Sequence, residues 1–419
     1  MGIIKPTLFF IRCFLFLFLF SANLQAQSPT SSLYSQYGFG EIQSPGFARN
    51  FGMGGLYTAI STSNAINIGN PASYAAIELT TLEAGVASNF VKYKAMDNSV
   101  PNGVSNNTVV RYLAFAFPVS KKWGTSVGLV PFSNMGYASS FTQNTAIGTG
   151  HFSYKGAGSI NQFYLGNAFK ITKSLSIGLN ISYLFGNITK QKSLAFEPSS
   201  GALNTLANAT VNVGDFYFNY GALYNLSLPD DYSISFGLTG ALTRNMNSVL
   251  NAVSLQYFER NGIAISRDTG NYVADKTGKT LIPGYVSGGL SFKKNAVWMF
   301  GIDYQIQDWS KYSSFATKDS LTNSSKVSVG GEYNYKKFQY RAGLRYEETN
   351  LLINTVHLKE YAFSAGLGIP LSRGFSYMNI SGELAERGAL SNGLVREHYF
   401  RIMVGLTLSD RWFIQRKFD

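Results

Sequence analysis

The chain has almost no cysteine, little charge and, beyond its N-terminal leader, no long apolar run. Its single cysteine, Cys13, lies in that leader. The mature chain is therefore expected to form no disulfide and to offer no thiol. Histidine is scarce too: only His151, His357 and His398 are present. None has metal-ligand spacing to another His, Cys or carboxylate pair, so no metal and no cofactor is expected. Past the leader no segment approaches about 18 consecutive apolar residues, which excludes a transmembrane helix. It does not exclude a barrel, because closure pairs every backbone group. Charged residues are only 14% of the chain, and the formal charge is +12. Removing Lys5 and Arg12 with the leader leaves 12 − 2 = +10. The basic residues stand singly or as turn pairs, with no dense stripe to bind nucleic acid. Anionic lipid headgroups beside basic turns are the expected partner.

The leader reads as a signal peptide over residues 1–26. Lys5 and Arg12 give a positive start, Phe14 to Phe20 an apolar core, and Leu24-Gln25-Ala26 a cleavage site. From Ile11 to Leu24 it is too short to span a bilayer, which takes about 20 apolar residues. The mature length is then 419 − 26 = 393 residues.

What the chain has in abundance is alternation and aromatic residues, 26 Tyr and 32 Phe. The clearest run places Leu175, Ile177, Leu179, Ile181, Tyr183 and Phe185 on one face. Ser176, Gly178, Asn180, Ser182, Leu184 and Gly186 fall on the other. A membrane barrel turns such a greasy face to lipid and keeps the small polar face for its lumen. From Leu79 onward the pattern predicts an all-β antiparallel barrel of fourteen strands over 79–419. The strands fall near 79–93, 108–118, 124–137, 153–169, 175–190, 215–228, 232–247, 283–293, 296–308, 325–335, 338–347, 360–370, 376–387 and 396–408. Short connections such as Pro229–Asp231 and Lys336–Lys337 alternate with long loops over 192–212, 249–281, 309–324 and 348–359. Tight periplasmic turns and long external loops have that rhythm.

Facing follows from the same alternation. Phe300, Ile302, Tyr304 and Leu344 should meet lipid, and Phe400, Ile402, Val404, Leu406 and Leu408 likewise. A charge at mid-depth on that face costs about 2–4 kcal/mol, so Asp303, Arg341, Arg345 and Glu347 must point inward.

Residues 27–78 differ: Ser-, Asn-, Gly- and Ala-rich, with Gly38, Gly40, Gly46, Gly52, Gly54 and Gly55 close together. Tyr34, Phe39, Phe47, Met53, Leu56 and Ile60 still give this stretch apolar surface, so it should pack on a host surface. It ends in Asn67-Ile68-Gly69-Asn70-Pro71-Ala72-Ser73, just before the first strand. With Gly52-Met53-Gly54-Gly55 upstream, that arrangement resembles the FadL-type outer-membrane transport family. The resemblance implies a fourteen-stranded barrel plugged by an N-terminal hatch, here 27–78, with Asn70, Pro71 and Ala72 as its Asn-Pro-Ala motif. It also implies passive uptake of hydrophobic small molecules, typically long-chain fatty acids, across the outer membrane of a Gram-negative bacterium. Tyr34-Ser35-Gln36-Tyr37-Gly38-Phe39-Gly40 and Asp410-Arg411-Trp412-Phe413 look like the branch found in gliding and gut-type bacteria.

Within strand 3, Pro131 interrupts the alternation, with Asn134 and Gly136 beyond it. Proline cannot donate to a ladder, so it marks an edge or a bulge, and a closed barrel has no edge. A local break in pairing follows, or else a harmless position at the external strand end. The resembled family has an inward kink in its third strand that opens the wall sideways. If Pro131 bends inward, the hatch near Asn70 should lie against the bend, since Asn supplies both a donor and an acceptor.

Chemistry is sparse. Gly124-Thr125-Ser126-Val127-Gly128 matches a nucleophile-elbow spacing, but Leu129, Val130 and Phe132 continue a strand where a helix is required. No catalytic constellation is seen, and no enzyme is expected. Inward Arg341 and Arg345 could meet a ligand carboxylate, or could pair with Glu332, Glu347 or Glu383 as lumen-filling ion pairs. A second functional reading is an interaction barrel like the PorV-type component of the type IX secretion system, with the loop over 249–281 as a docking surface for a protein partner.

Overall fold

The computed structural model describes residues 32–95, 103–197, 201–260, 263–295, 297–319, 321–371, 375–390 and 394–412. The leader over 1–26 and the end from Phe413 lie outside the described residues. Fourteen antiparallel strands close into one barrel. They are β1 (Thr80–Ala95), β2 (Val104–Ser120), β3 (Trp123–Thr145), β4 (Gly148–Lys170), β5 (Leu175–Phe196) and β6 (Asn204–Ser227). Two interrupted strands follow: β7 (Tyr232–Ala241, then Arg244–Arg260) and β8 (Ile263–Ile282, then Tyr285–Lys294). The rest are β9 (Trp298–Gln307), β10 (Ser324–Tyr335), β11 (Phe338–Ile353), β12 (Val356–Pro370), β13 (Tyr377–Arg387) and β14 (Val395–Asp410). β14 closes on β1 from Asp410 opposite Thr80 to Val395 opposite Ala95.

Alternation sorts the two faces as the sequence requires. Phe300 and Leu344 are 62% and 59% exposed, whereas Asp303 and Arg341 are 4% exposed. The tight turns use left-handed residues: Asp230–Asp231 and Lys336–Lys337 all have positive φ. Such turns match the twist of the strands that they join.

Three expected loops prove to be strand. The span 249–281 is an antiparallel ribbon, with Arg244–Arg260 paired to Ile263–Ile282. β5 continues to Phe196 and β6 begins at Asn204, which shortens the loop at 192–212. β11 reaches Ile353 and turns through Asn354 and Thr355 directly into β12. The reason is physical. Outside a bilayer a ribbon needs no greasy face, so Thr, Asn and Lys can carry its alternation and conceal it. The span 309–324 remains irregular, holding a 3-10 turn at Trp309–Lys311 and a two-residue strand at Ser313–Ser314.

A crease crosses β3 to β8. β3 bulges between Pro131 and Ser133, opposite Asn161 and Ile160. Ile160 lies opposite Gly186, and Phe185 opposite Gly214. Gly186 has a φ of 141°, which no other residue type holds without strain. β6 pairs with β7 at Asn219 opposite Ala241 and again at Val213 opposite Ser248, leaving Gly214–Phe218 between. The interruptions of β7 and β8 fall at the same level, because Ala241 faces Tyr285 and Arg244 faces Ile282. The Asp215 carboxylate bridges part of the gap, accepting from the Asn247 backbone N–H at 2.9 Å and its side-chain amide at 2.7 Å.

The N-terminal segment from Ser32 to Leu79 packs against the inward face of the strands. It contains a 3-10 turn (Leu33–Gln36), a single helical turn (Ala48–Phe51) and a second 3-10 turn (Pro71–Ala76). Its backbone lies directly on inward glycines. A side chain at Gly343 would run into Met53 and Gly54, and one at Gly178 into Pro71. The lumen face is therefore small where the segment touches it.

Candidate functional site

Asn70 is fully buried and ties the segment to itself and to the wall. Its side-chain oxygen accepts from the Ala72 backbone N–H at 3.1 Å, capping the turn that Pro71 begins. Its amide donates to the Thr58 carbonyl at 2.7 Å and to the Ala222 carbonyl of β6 at 3.2 Å. The Thr239 hydroxyl of β7 donates to the Gly69 carbonyl at 2.9 Å. Asn70 thus sits on β6 and β7, not against the Pro131 bend. The turn it caps rests on Gly178 and Gly221 and reaches β3 only at Gly124, under Tyr74, near the strand end remote from the bend.

The bend is met by an earlier stretch. The ladder between β2 and β3 runs from Ser120 opposite Trp123 to Leu113 opposite Leu129 and goes no further. Beyond Pro131 the free edge of β3 pairs with the N-terminal segment instead: Ile42 opposite Ser133 and Glu41 opposite Asn134. The Gln43 backbone N–H donates to the Phe132 carbonyl at 2.9 Å. The Gly136 N–H donates to the Ser35 hydroxyl at 3.1 Å. Asn134 and Gly136, just beyond Pro131, therefore share one neighbour, the stretch Ser35–Gln43, while Pro131 itself stands opposite Asn161 of β4. Arg111 of β2 reaches across, donating to the Gln43 side-chain oxygen and, at 3.2 Å, to the Ser44 carbonyl.

The opposite wall is ionic. Glu332 lies between Arg49 of the segment at 2.9 Å and Arg341 at 2.7 Å. Arg345 contacts Glu360 at 2.5 Å and Glu383 at 3.2 Å. Glu360 also receives Arg387 at 2.5 Å and Arg401 at 3.2 Å, and the same two guanidinium groups hold Glu41 at 2.8 and 3.4 Å. Burial alone would raise the Glu41 carboxyl, but Arg387 and Arg401 outweigh it and hold that group below its ordinary 4.5. Glu41 therefore joins the β3 bend to β13 and β14 across the lumen. A ligand carboxylate approaching Arg341 or Arg345 would have to compete with these glutamates.

A cavity of about 240 Å³ lies between the segment and the wall beside the bend. Ile42, Phe132 and Tyr217 give it apolar surface, and Arg111, Lys326 and Arg345 give it charge. Ser126 of the elbow-like motif lies mid-strand in β3, 3.0 Å from the Tyr164 hydroxyl. It has neither the turn nor the base of a nucleophile. Among the described residues no group of His, Cys, Asp and Glu is placed to hold a metal. Sequence reading missed Glu41, Arg49, Arg111 and Arg387, and read Arg401 only as inward, without a partner. Their only signal was charge at inward or glycine-flanked positions, and alternation cannot name a partner.

This architecture is that of FadL-type channels. The structure aligns with the Pseudomonas putida toluene transporter TodX at a TM-score of 0.58 and 15% identity, covering 89% of this chain and 99% of that one. It aligns with the Ralstonia pickettii toluene transporter TbuX at 0.60 and 15%, covering 87% and 98%. A Pseudomonas aeruginosa FadL homologue aligns at 0.59 and 13%, covering 88% and 98%. At these identities the likeness is one of fold. The chain belongs to the BamG family, whose model matches residues 7–419. No curated protein matches it by sequence.

Proposed function

We propose that this chain is an outer-membrane channel for passive uptake of hydrophobic small molecules, of the long-chain fatty acid type. Residues 27–78 act in it as a hatch. The observation that carries this reading is the parting of β2 from β3 above Leu113 and Leu129. An unpaired strand edge in hydrocarbon costs several kcal/mol per orphaned group, and here the hatch supplies the missing partner at Glu41 and Ile42. A ligand entering from the external side would reach the cavity beside Phe132 and leave sideways when Glu41–Gln43 moves off the β3 edge. Pro131 keeps the wall from sealing, because it has no N–H to offer β2. Diffusion down a gradient suffices, with no energy source.

Uptake of a labelled long-chain fatty acid by a deletion strain tests this. Complementation should restore uptake, and the double variant Pro131→Val with Gly136→Thr should lower it without loss of assembled barrel. Unchanged uptake in the assembled double variant sinks the sideways route. Removing residues 27–77 should raise conductance in planar bilayers, and an unchanged conductance removes the hatch assignment.

A second reading is an interaction barrel. Two features favour it: the ribbon over Arg244–Ile282 and the ion pairs that fill the lumen. A stable co-purifying protein, lost when the ribbon is shortened, together with no uptake phenotype, would establish it.

A further inference from the structure

We propose that the external rim of β12 to β1 holds one phosphorylated, acylated glycolipid of the outer leaflet. This rests only on the barrel spanning that membrane and is independent of what crosses the lumen. The lipid-facing run of β14 goes from Leu408 to Phe400, and that of β1 from Leu82 to Phe90. Each matches the roughly 9–11 residues that a strand needs to cross. Immediately external come Lys92 and Lys94 on β1, both exposed, and Arg396 and His398 on β14. In the antiparallel register His398 stands opposite Lys92, and Arg396 opposite Lys94.

Like charges directly opposite each other destabilise a sheet. Among the described residues the carboxylate in contact with this group is Glu386, 3.3 Å from Arg396 and 3.5 Å from His398. No described ion pair reaches Lys92 or Lys94. Three fixed positive charges thus face one negative charge, at headgroup depth. A phosphate monoester between Lys94 and Arg396 would relieve the repulsion and take charge-assisted hydrogen bonds from both.

A second feature points to the same ligand. An outward groove of about 680 Å³ runs down from His398 between β10 and β14, with apolar walls that include Val329, Leu344, Tyr361, Phe363 and Leu384. Its polar end is the pair His398 and Glu386, which adjoins the basic group through Arg396, and its apolar length, with Leu384 opposite Phe400, lies level with the lipid-facing run. The geometry fits a chain seated below a phosphate.

The test uses the full chain purified in neutral detergent, with phosphorylated lipid A, enzymatically dephosphorylated lipid A and phosphatidylcholine as probes. Bound lipid is counted by native mass spectrometry, and the thermal midpoint is followed in parallel. The phosphorylated probe should add a single lipid and raise the midpoint. Lys92→Ser with Lys94→Ser should lower its occupancy at least tenfold. Leu384→Trp, which fills the groove without touching the charges, should lower it as well. Lys121→Ser on the opposite rim should not. Equal binding of the dephosphorylated probe, or full occupancy in both the lysine and the Leu384 variants, overturns the proposal. So does finding a protein chain on this face in place of lipid.

Discussion

Two arcs of the barrel hold the same N-terminal segment by different physics. The arc β3–β8 is tall, creased at Pro131, Gly186 and the Ala241–Arg244 break, and touches the segment through backbone and neutral side chains. The arc β9–β14 has shorter strands, whose ladders shift register only near the external end of β11 between Glu348 and Leu352, and grips the segment through buried guanidinium–carboxylate pairs. Neutral hydrogen bonds contribute about 0.5–1.5 kcal/mol each and yield singly. A buried ion cluster resists piecemeal change, since removing one member strands the others. The first attachment can therefore yield bond by bond, whereas the second holds as a unit.

The strongest way to break this contrast is to attack the ionic arc. Glu360 is 2% exposed and receives Arg345, Arg387 and Arg401. Glu360→Ala should cost about 3–5 kcal/mol, the range for a buried pair that loses one partner. The check is urea unfolding of the assembled barrel. A loss below about 1 kcal/mol would mean that water already screens the cluster.

The next effect concerns the outer face. Leu344→Arg on β11 puts a charge into lipid and should cost about 2–4 kcal/mol at mid-depth. Its neighbour Gly343→Arg points inward, where Met53 and Gly54 leave no room, so it should displace the segment rather than spoil insertion. Heat-modifiable migration reports insertion, and protease access to the segment reports displacement. Equal behaviour of the two variants would contradict the facing.

How far the sequence could see follows the same division. Lipid forces strict alternation, so the barrel, its closure and the facing of Phe300 or Arg341 were readable residue by residue. The ribbon over 249–281 escaped notice because nothing outside the bilayer demands a greasy face there. Pro131 advertised the bend through its missing N–H. The partner of that bend, Glu41–Gln43, gave no signal, since pairing an edge with a short glycine-flanked stretch uses backbone alone. Asn70 was readable only as part of the Asn-Pro-Ala resemblance and was expected at the bend; its place on β6 and β7 depends on Gly178 and Gly221, whose role appears only when the segment is seen lying on them. The arginines on the inner wall were visible as inward charges, and two of their expected partners are found, Glu332 on Arg341 and Glu383 on Arg345, whereas Glu360 and Glu41 gave no signal.

A smaller effect separates the arcs from the neutral side. Asn70→Ala removes bonds to Ala72, Thr58 and Ala222 and should cost about 1–3 kcal/mol, the range for buried groups left unsatisfied. Amide exchange should quicken at Thr58 and Ala72 while Glu41 and Arg49 keep their protection. Loss of protection along the whole segment would mean that the two attachments act as one.

The smallest effect sharpens the comparison at the residue that belongs to both arcs. Glu41 pairs by backbone with Asn134 at the bend and by side chain with Arg387 and Arg401. Its carboxyl is held below the ordinary 4.5, chiefly because the two guanidinium groups outweigh the cost of burial. A depressed carboxylate stabilises the folded state fully above its ordinary value, and the contribution disappears as pH falls through the lower folded one. Protection of the Glu41–Gln43 amides should therefore hold from neutral pH down to about 4.5 and decline below it. Glu41→Gln keeps the side chain's size but cannot ionise, so its protection should be lower at neutral pH and should not change over that interval. Because Arg387 and Arg401 retain Glu360, the segment should loosen at the bend while Arg49 stays paired with Glu332. If acid instead releases Arg49 first, the ionic arc is the weaker attachment, and the direction in which the segment moves must be reversed.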